Sequence, residues 1–240
     1  MSNESPIIEA RGLSRYYQRG SETVKALSDV NLDIQQGEMV SILGPSGSGK
    51  TTLIHLLSCL DVPTAGTLRV NGTSVEGKSE EELVEVRRGL LGFVFQQFHL
   101  LPTLTVTENV ELPLLFLGRG VTAAHTKEVL GMVGLGERAT HLPRELSGGQ
   151  MQRVAIARAL IVQPKILIAD EPTGNLDRTN GEAIFSLFRD LVRQQQLTII
   201  ITTHNLAFGY EADRVITLED GRIIKEERPR SVGGSDGSAG

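Results

Sequence analysis

Gly44-Pro45-Ser46-Gly47-Ser48-Gly49-Lys50-Thr51 fits the spacing G-x-x-x-x-G-K-[ST]. Glycines at 44, 47 and 49 let the backbone turn tightly and aim its N–H groups inward, where they can surround a phosphate. A helix opening at Lys50 adds its positive N-terminal end. Lys50 brings a full charge to the outer phosphate oxygens. The Thr51 hydroxyl can ligate Mg²⁺, which prefers oxygen donors and keeps several waters. With Thr52 in the same turn, these are the expected nucleotide-binding residues.

A second constellation is Ile166-Leu167-Ile168-Ala169-Asp170-Glu171-Pro172, an apolar run ending in two adjacent carboxylates. Parallel α/β sheets bind ligands beyond the C-terminal ends of their strands. Asp170 is expected to hold the Mg²⁺ shell through water. Side chains alternate along a strand, so Glu171 should point elsewhere. It is the candidate general base for an attacking water. A third is Leu146-Ser147-Gly148-Gly149-Gln150, just before a helical run. A serine and two glycines at a helix start make another anion-binding nest. One chain thus offers two phosphate-type sites, and the second has no obvious ligand of its own.

The elements that position these residues follow from periodicity and punctuation. Residues 7–17 and 24–34 read as strands joined by a turn at Arg19, Gly20 and Ser21, with Val30, Leu32 and Ile34 alternating against polar neighbours. Residues 38–43 form a short apolar strand into the glycine-rich loop, and 50–60 a helix. Ser79 with Glu82, and Thr105 with Glu108, are capping-box patterns that open helices. Residues 91–95 read as a strand, and helical patterns dominate from about 117 to 161. Residues 165–169, 198–202 and 214–218 are buried-type strands, with 184–192 part of a helix between the first two. Asp220-Gly221 signals a hairpin turn before 222–225. Residues 229–240 are expected to be a disordered tail. Strands alternating with helices around a helical stretch predict an α/β core with a helical insertion.

Composition narrows the class. The chain has 240 residues, 40% of them hydrophobic, enough for one large domain with a sizeable core. A net charge of −5 argues against a nucleic-acid surface. The single cysteine, Cys59, suits a small buried role in a reducing compartment. The N-terminal residues show no signal-peptide pattern, and apolar runs such as 112–117 are far too short to span a bilayer. Membrane contact is therefore expected only through another chain. His55, His99, His125 and His141 show no metal-ligand spacing. Phe98, Leu100, Leu101 and Pro102 read either as core of the helical part or as a docking surface for a partner.

On these motifs the chain resembles an ABC-transporter ATPase subunit over about residues 7–225, with 98–162 as its helical subdomain. The fold implied is a P-loop NTPase (RecA-like) core with an N-terminal antiparallel β part and a helical insertion carrying the signature motif. Leu146 to Gln150 match that signature. In the family two copies pair head-to-tail, and the signature of one caps the γ-phosphate held by the other. Ser147, Gly148, Gly149 and Gln150 would then serve the partner's ATP, as would Asp177 in the D-loop Gly174-Asn175-Leu176-Asp177. Gln96 matches the Q-loop glutamine that senses Mg²⁺ and the γ-phosphate. His204 matches the switch histidine on the γ-phosphate and the attacking water. Tyr17 matches the aromatic that stacks on adenine, with Tyr16 as the nearby alternative.

Within the superfamily, residues 92–114 and 169–177 are similar to the branch of lipoprotein-releasing and macrolide- or peptide-exporting ATPases. Asn205 replaces a common Asp, and Met151 a commoner polar residue. The resemblance implies a homodimer of ATPase subunits, a separate integral membrane permease, and a peripheral place on the cytoplasmic side of the inner membrane. It implies ATP-driven export or extraction of a lipoprotein, peptide or drug-like substrate. The alternative is force transmission to cell-envelope machinery without solute transport. The stretch from Gln96 to Leu146 is too short for the long coiled coil of DNA-repair relatives.

Overall fold

The computed structural model describes residues 5–229. Residues 230–240, most of the expected tail, lie outside them. The chain opens with Ile8–Arg19 (β1) and Glu22–Ile34 (β2), an antiparallel pair turning at Gly20, whose φ of 64° suits a residue without a Cβ. Met39–Leu43 (β3) leads through the glycine-rich loop into Lys50–Leu57 (α1). Ala65–Val70 (β4) and Thr73–Ser74 (β5) then extend the first sheet to the order β2-β1-β4-β5.

Glu80–Arg87 (α2) and Leu91–Val94 (β6) come next, followed by Val106–Phe116 (α3), Ala123–Met132 (α4) and Gly148–Leu160 (α5). The core closes with Ile166–Asp170 (β7), Arg178–Gln195 (α6), Thr198–Thr203 (β8), Leu206–Gly209 (α7), Arg214–Glu219 (β9) and Arg222–Glu227 (β10). The second sheet runs β10-β9-β3-β8-β7-β6, parallel except for the β9–β10 hairpin at Asp220-Gly221.

The strand periodicity divides the interior. Ile166 and Ile168 of β7 face a cluster built from α1 and the antiparallel sheet. Leu167 and Ala169, one residue out of phase, face a cluster built from α3, α4, α5 and α6. The parallel sheet is therefore buried on both faces, which is why β3 and β8 read as unbroken runs rather than alternating ones. The helical insertion has no core of its own: Val110, Val129 and Val154 belong to the same cluster as Phe185 and Phe188 of α6.

Two expectations need correction, and the choice left open for residues 98–102 divides between its members. The helix after the glycine-rich loop ends at Leu57 rather than 60, because Cys59 takes a left-handed φ of 55° and cannot continue it. Cys59 is nonetheless buried, and burial pushes its thiol up to about 11, so it is an inert hydrophobe. Strands β4 and β5 were missing from the sequence reading, since only Leu68 and Val70 of β4 are buried. The readable clue was Asn71-Gly72, both at positive φ in the turn between the two strands. Finally, Leu100 packs on the core, while Leu101 is 47% exposed and bonds Asn109 through its backbone.

Candidate functional site

The parallel register brings two loops together. Leu43 pairs with Thr203, so Gly44 and His204 both leave the sheet at one edge. Asp170 pairs with Thr202, which places Glu171 at that edge as well.

The loop from Gly44 to Thr51 is built for close approach. A Cβ on Gly44 would overlap the Leu218 carbonyl oxygen and sit 2.6 Å from Ser48 Oγ. Gly47 and Gly49 hold φ of 81° and 102°. Pro45, Ser46 and Gly47 are exposed, and the Ser48 hydroxyl is buried with no hydrogen-bond partner. Lys50 is 8% exposed, and its Nζ donates to the carbonyl oxygens of Gly44 (2.8 Å) and Pro45 (2.9 Å). Among the described residues every other α-helix has a side-chain oxygen accepting from its first turn. Helix α1 alone has none. Its first N–H groups are left for something other than the chain's own side chains. Thr51 is exposed and Thr52 half-buried on that turn.

At the end of β7, Asp170 and Glu171 stand at the sheet edge as expected, but the cause that directs Glu171 is different. Glu171 is not aimed by strand alternation. It has a φ of 46°, and its N–H is shared between the carbonyl (3.1 Å) and hydroxyl (3.0 Å) oxygens of Thr202. The Thr202 hydroxyl in turn donates to Asp170 Oδ1. Thr202 was missed in the sequence reading, although a hydroxyl within an apolar strand was the available signal. So turned, Glu171 places Oε2 3.2 Å from His204 Nδ1. The two line a cleft of about 260 Å³ with Gly174, Leu176 and Asn205. Asn205 caps α7 through its side chain, a task Asn performs as well as Asp.

Gln96 and the segment after Glu171 are joined. Asn175 Nδ2 donates to Gln96 O at 2.9 Å, and Gln96 Nε2 to Asn175 Oδ1 at 3.5 Å. Asp177 caps α6, accepting from Asn180 N (2.9 Å) and Nδ2 (2.7 Å). The Asn180 N–H holds the Asp177 carboxyl below its ordinary range.

The second nest opens α5. Ser147 Oγ accepts from Gln150 N, and Ser147 N donates to Gln150 Oε1 at 2.9 Å. This reciprocal cap leaves the hydroxyl proton free to donate. Ser147 is exposed, and the neighbours of Gly148 and Gly149 are Leu176, Phe98 and Asn180. None of these belongs to the loop at 44–51.

Tyr17 and Tyr16 are distinguished by their partners. Tyr17 OH donates to Asp61 Oδ2 at 2.9 Å, and the Arg15 guanidinium lies 4.7 Å from its ring centroid. The Tyr16 side chain has, among the described residues, the Lys25 ammonium 5.7 Å from its ring, while its backbone N–H donates to Thr64 Oγ1. Among the described residues no group of three or more His, Cys, Asp or Glu side chains could hold a metal unaided. Thr51 and Asp170 offer hard oxygen donors. A separate groove of about 620 Å³ lies between α2, β6, α3 and α5, lined by Phe93, Phe95, His99, Pro113, Phe116 and Arg158. Phe116 is 84% exposed there. No helix of the described residues is long and apolar enough to cross a membrane.

Residues 27–174 match the family model described as ABC transporter. The chain is 45% identical over 230 residues to the uncharacterized ABC transporter ATP-binding protein MJ0796 of Methanocaldococcus jannaschii, covering 93% of this chain and 98% of that protein. It is 45% identical over 226 residues to the macrolide export ATP-binding/permease protein MacB of Bdellovibrio bacteriovorus. That match covers 94% of this chain but only 35% of MacB, so the chain spans about a third of that relative. Among solved structures, it superposes with a TM-score of 0.83 on MJ0796 as a dimer in a post-hydrolysis state bound to ADP and Pi, at 43% identity. That likeness covers 93% of this chain and 99% of the other.

Proposed function

The chain belongs to the ABC transporter family as an ATP-binding ATPase domain, and from that premise we propose that it hydrolyses Mg·ATP as a homodimer coupled to a separate membrane permease. The observation that carries this reading is the shared sheet edge. A helix start with no side-chain cap and the Glu171–His204 pair both lie where β3, β7 and β8 end.

In this reading residues 44–52 hold the triphosphate. Lys50 exchanges its two loop carbonyls for phosphate oxygens. Gln96, Thr51 and Asp170 would hold the ion, which would supply positive charge against the phosphates. The donor set fits: all are oxygen ligands, and one Asp170 oxygen is already fixed by Thr202. Glu171 accepts the proton of the attacking water, and His204 orients that water and the γ-phosphate. Tyr17 stacks on adenine. Ser147, Gly148, Gly149, Gln150 and Asp177 complete the site held by the other copy. The exposed, already capped start of α5 supports this, because it presents an anion nest with no ligand of its own chain nearby.

Residues 7–225 form the ATPase domain, with 98–162 as its helical part. The apolar groove around Phe95 and Phe116 seats a cytoplasmic segment of the permease, keeping the subunit peripheral on the cytoplasmic face. Export or extraction of a lipoprotein, peptide or drug-like molecule is the transport so driven. Phosphate release from ATP by the purified chain tests the reading. It should require Mg²⁺ and stop in Glu171→Gln. Turnover that persists in full with excess chelator, or in Glu171→Gln, would overturn it.

A further inference from the structure

The Tyr17 ring is held more tightly than strand geometry requires. Arg15 and Tyr17 are two apart on β1 and so share a face. Both reach the same carboxylate, Asp61, which follows the turn ending α1. Arg15 forks onto it, with Nε 2.8 Å from Oδ2 and Nη2 2.7 Å from Oδ1. Tyr17 OH donates to Oδ2 at 2.9 Å. The guanidinium then lies over one side of the ring, 4.7 Å from its centroid.

Asp61 is itself fixed. Its N–H bonds the His55 carbonyl at 3.2 Å, and its Oδ1 accepts from Val62 N at 2.8 Å. Arg15 and Asp61 side chains are only 22% and 20% exposed, so water competes weakly for the fork. The location matters as much as the bonding. Arg15 is opposite Leu27 in register, and Leu27 Cδ2 would lie 3.1 Å from a Cβ on Gly49. Leu27, the cross-strand partner of Arg15, thus connects this part of β1 to the glycine-rich loop. Tyr16 has no comparable hold.

We propose that Arg15 and Asp61 are positioning residues for the nucleotide base: they fix the Tyr17 ring with one face closed by the guanidinium and the other presented to adenine. The proposal rests on the reading that Tyr17 stacks on the base. An aromatic whose two side-chain torsions are already locked loses little freedom when the base arrives, so the stack forms at lower cost. The phosphates, gripped by residues 44–51, are indifferent to it.

The experiment compares, by calorimetry, binding of ATP and of inorganic tripolyphosphate, which offers similar charge without a base. Tyr17→Ala should weaken ATP about ten-fold, the usual scale of one base stack, and leave tripolyphosphate unchanged. Arg15→Ala and Asp61→Ala should each weaken ATP about three-fold, again without touching tripolyphosphate. Added to Tyr17→Ala, Asp61→Ala should cost nothing more, since no ring remains to be positioned. Arg15→Lys keeps the charge but not the fork, so it should fall between wild type and Arg15→Ala and serves where the alanine variant does not fold. The proposal is overturned if the Asp61 and Arg15 variants bind ATP like wild type, weaken both ligands equally, or add fully to Tyr17→Ala. If Tyr17→Ala itself binds ATP normally, the stacking reading fails and the proposal with it.

Discussion

The Nδ1 atom of His204 stands 3.2 Å from Oε2 of Glu171, across a cleft into which both side chains open. Thr202, in register with Asp170, sets this contact by turning the Glu171 backbone. If Glu171 and His204 act on one water, their losses should not add. Glu171→Gln keeps the size of the side chain but cannot take a proton, and should lower phosphate release about 10²–10⁴-fold. His204→Ala in that background should lower it little further, as groups acting as a unit do. A full multiplicative loss in the double variant would show that the two work independently.

Lys50 carries the one full charge buried in the glycine-rich loop, held on two carbonyl oxygens. Lys50→Ala removes a charge-assisted bond to the triphosphate, worth roughly 1.5–3 kcal/mol, or about ten- to a hundred-fold in affinity. Calorimetry with ATP measures it, and unchanged affinity would count against the loop as the phosphate site.

Acid should loosen the helix starts. The Thr105 N–H lowers the Glu108 carboxyl, and the Asn180 N–H lowers Asp177. A carboxyl lowered by folding adds stability that is complete above its unfolded pKa, about 4, and is lost as pH falls through the folded value. Glu108→Gln and Asp177→Asn keep an accepting oxygen but do not titrate. A variant carrying both should lose less Tm between about pH 6 and pH 3 than wild type does. An equal drop in both proteins would mean that these caps contribute nothing to acid sensitivity.

What the sequence made legible was local. The glycine spacing of the loop, the capping pairs Ser79–Glu82 and Thr105–Glu108, and the Asp220-Gly221 turn each act within a few residues and stand where expected. What stayed hidden depends on contacts between distant segments. β4 exists because Ile8 pairs with Val70, not because its own six residues favour a strand. The direction of Glu171 is set by Thr202, 31 positions on. The hold on Tyr17 comes from Asp61, 44 positions away. The apolar groove could not be drawn from Leu100 and Leu101, because Leu100 spends its side chain on the core while Phe116, unremarked in the sequence, is left exposed.

That groove gives a fourth expectation. A charge placed at Phe116, on α3 and away from residues 44–51, should repel an apolar permease segment. Phe116→Glu should leave the basal ATPase rate of the purified chain intact and release the protein from membranes that contain its permease. Fractionation measures this. Retention on the membrane together with transport-coupled activity would place the docking surface elsewhere.

The central claim is that ATP is held between two copies, by residues 44–51 of one and Ser147 to Gln150 of the other. Gel filtration of Glu171→Gln at tens of micromolar tests it most directly, because blocked hydrolysis should leave the closed pair intact. The account predicts a dimer with ATP, a monomer with ADP, and a monomer again when Ser147→Arg is added, with ATP binding by the single chain retained. A Glu171→Gln protein that binds ATP yet stays monomeric, or one whose dimer survives Ser147→Arg, would contradict it.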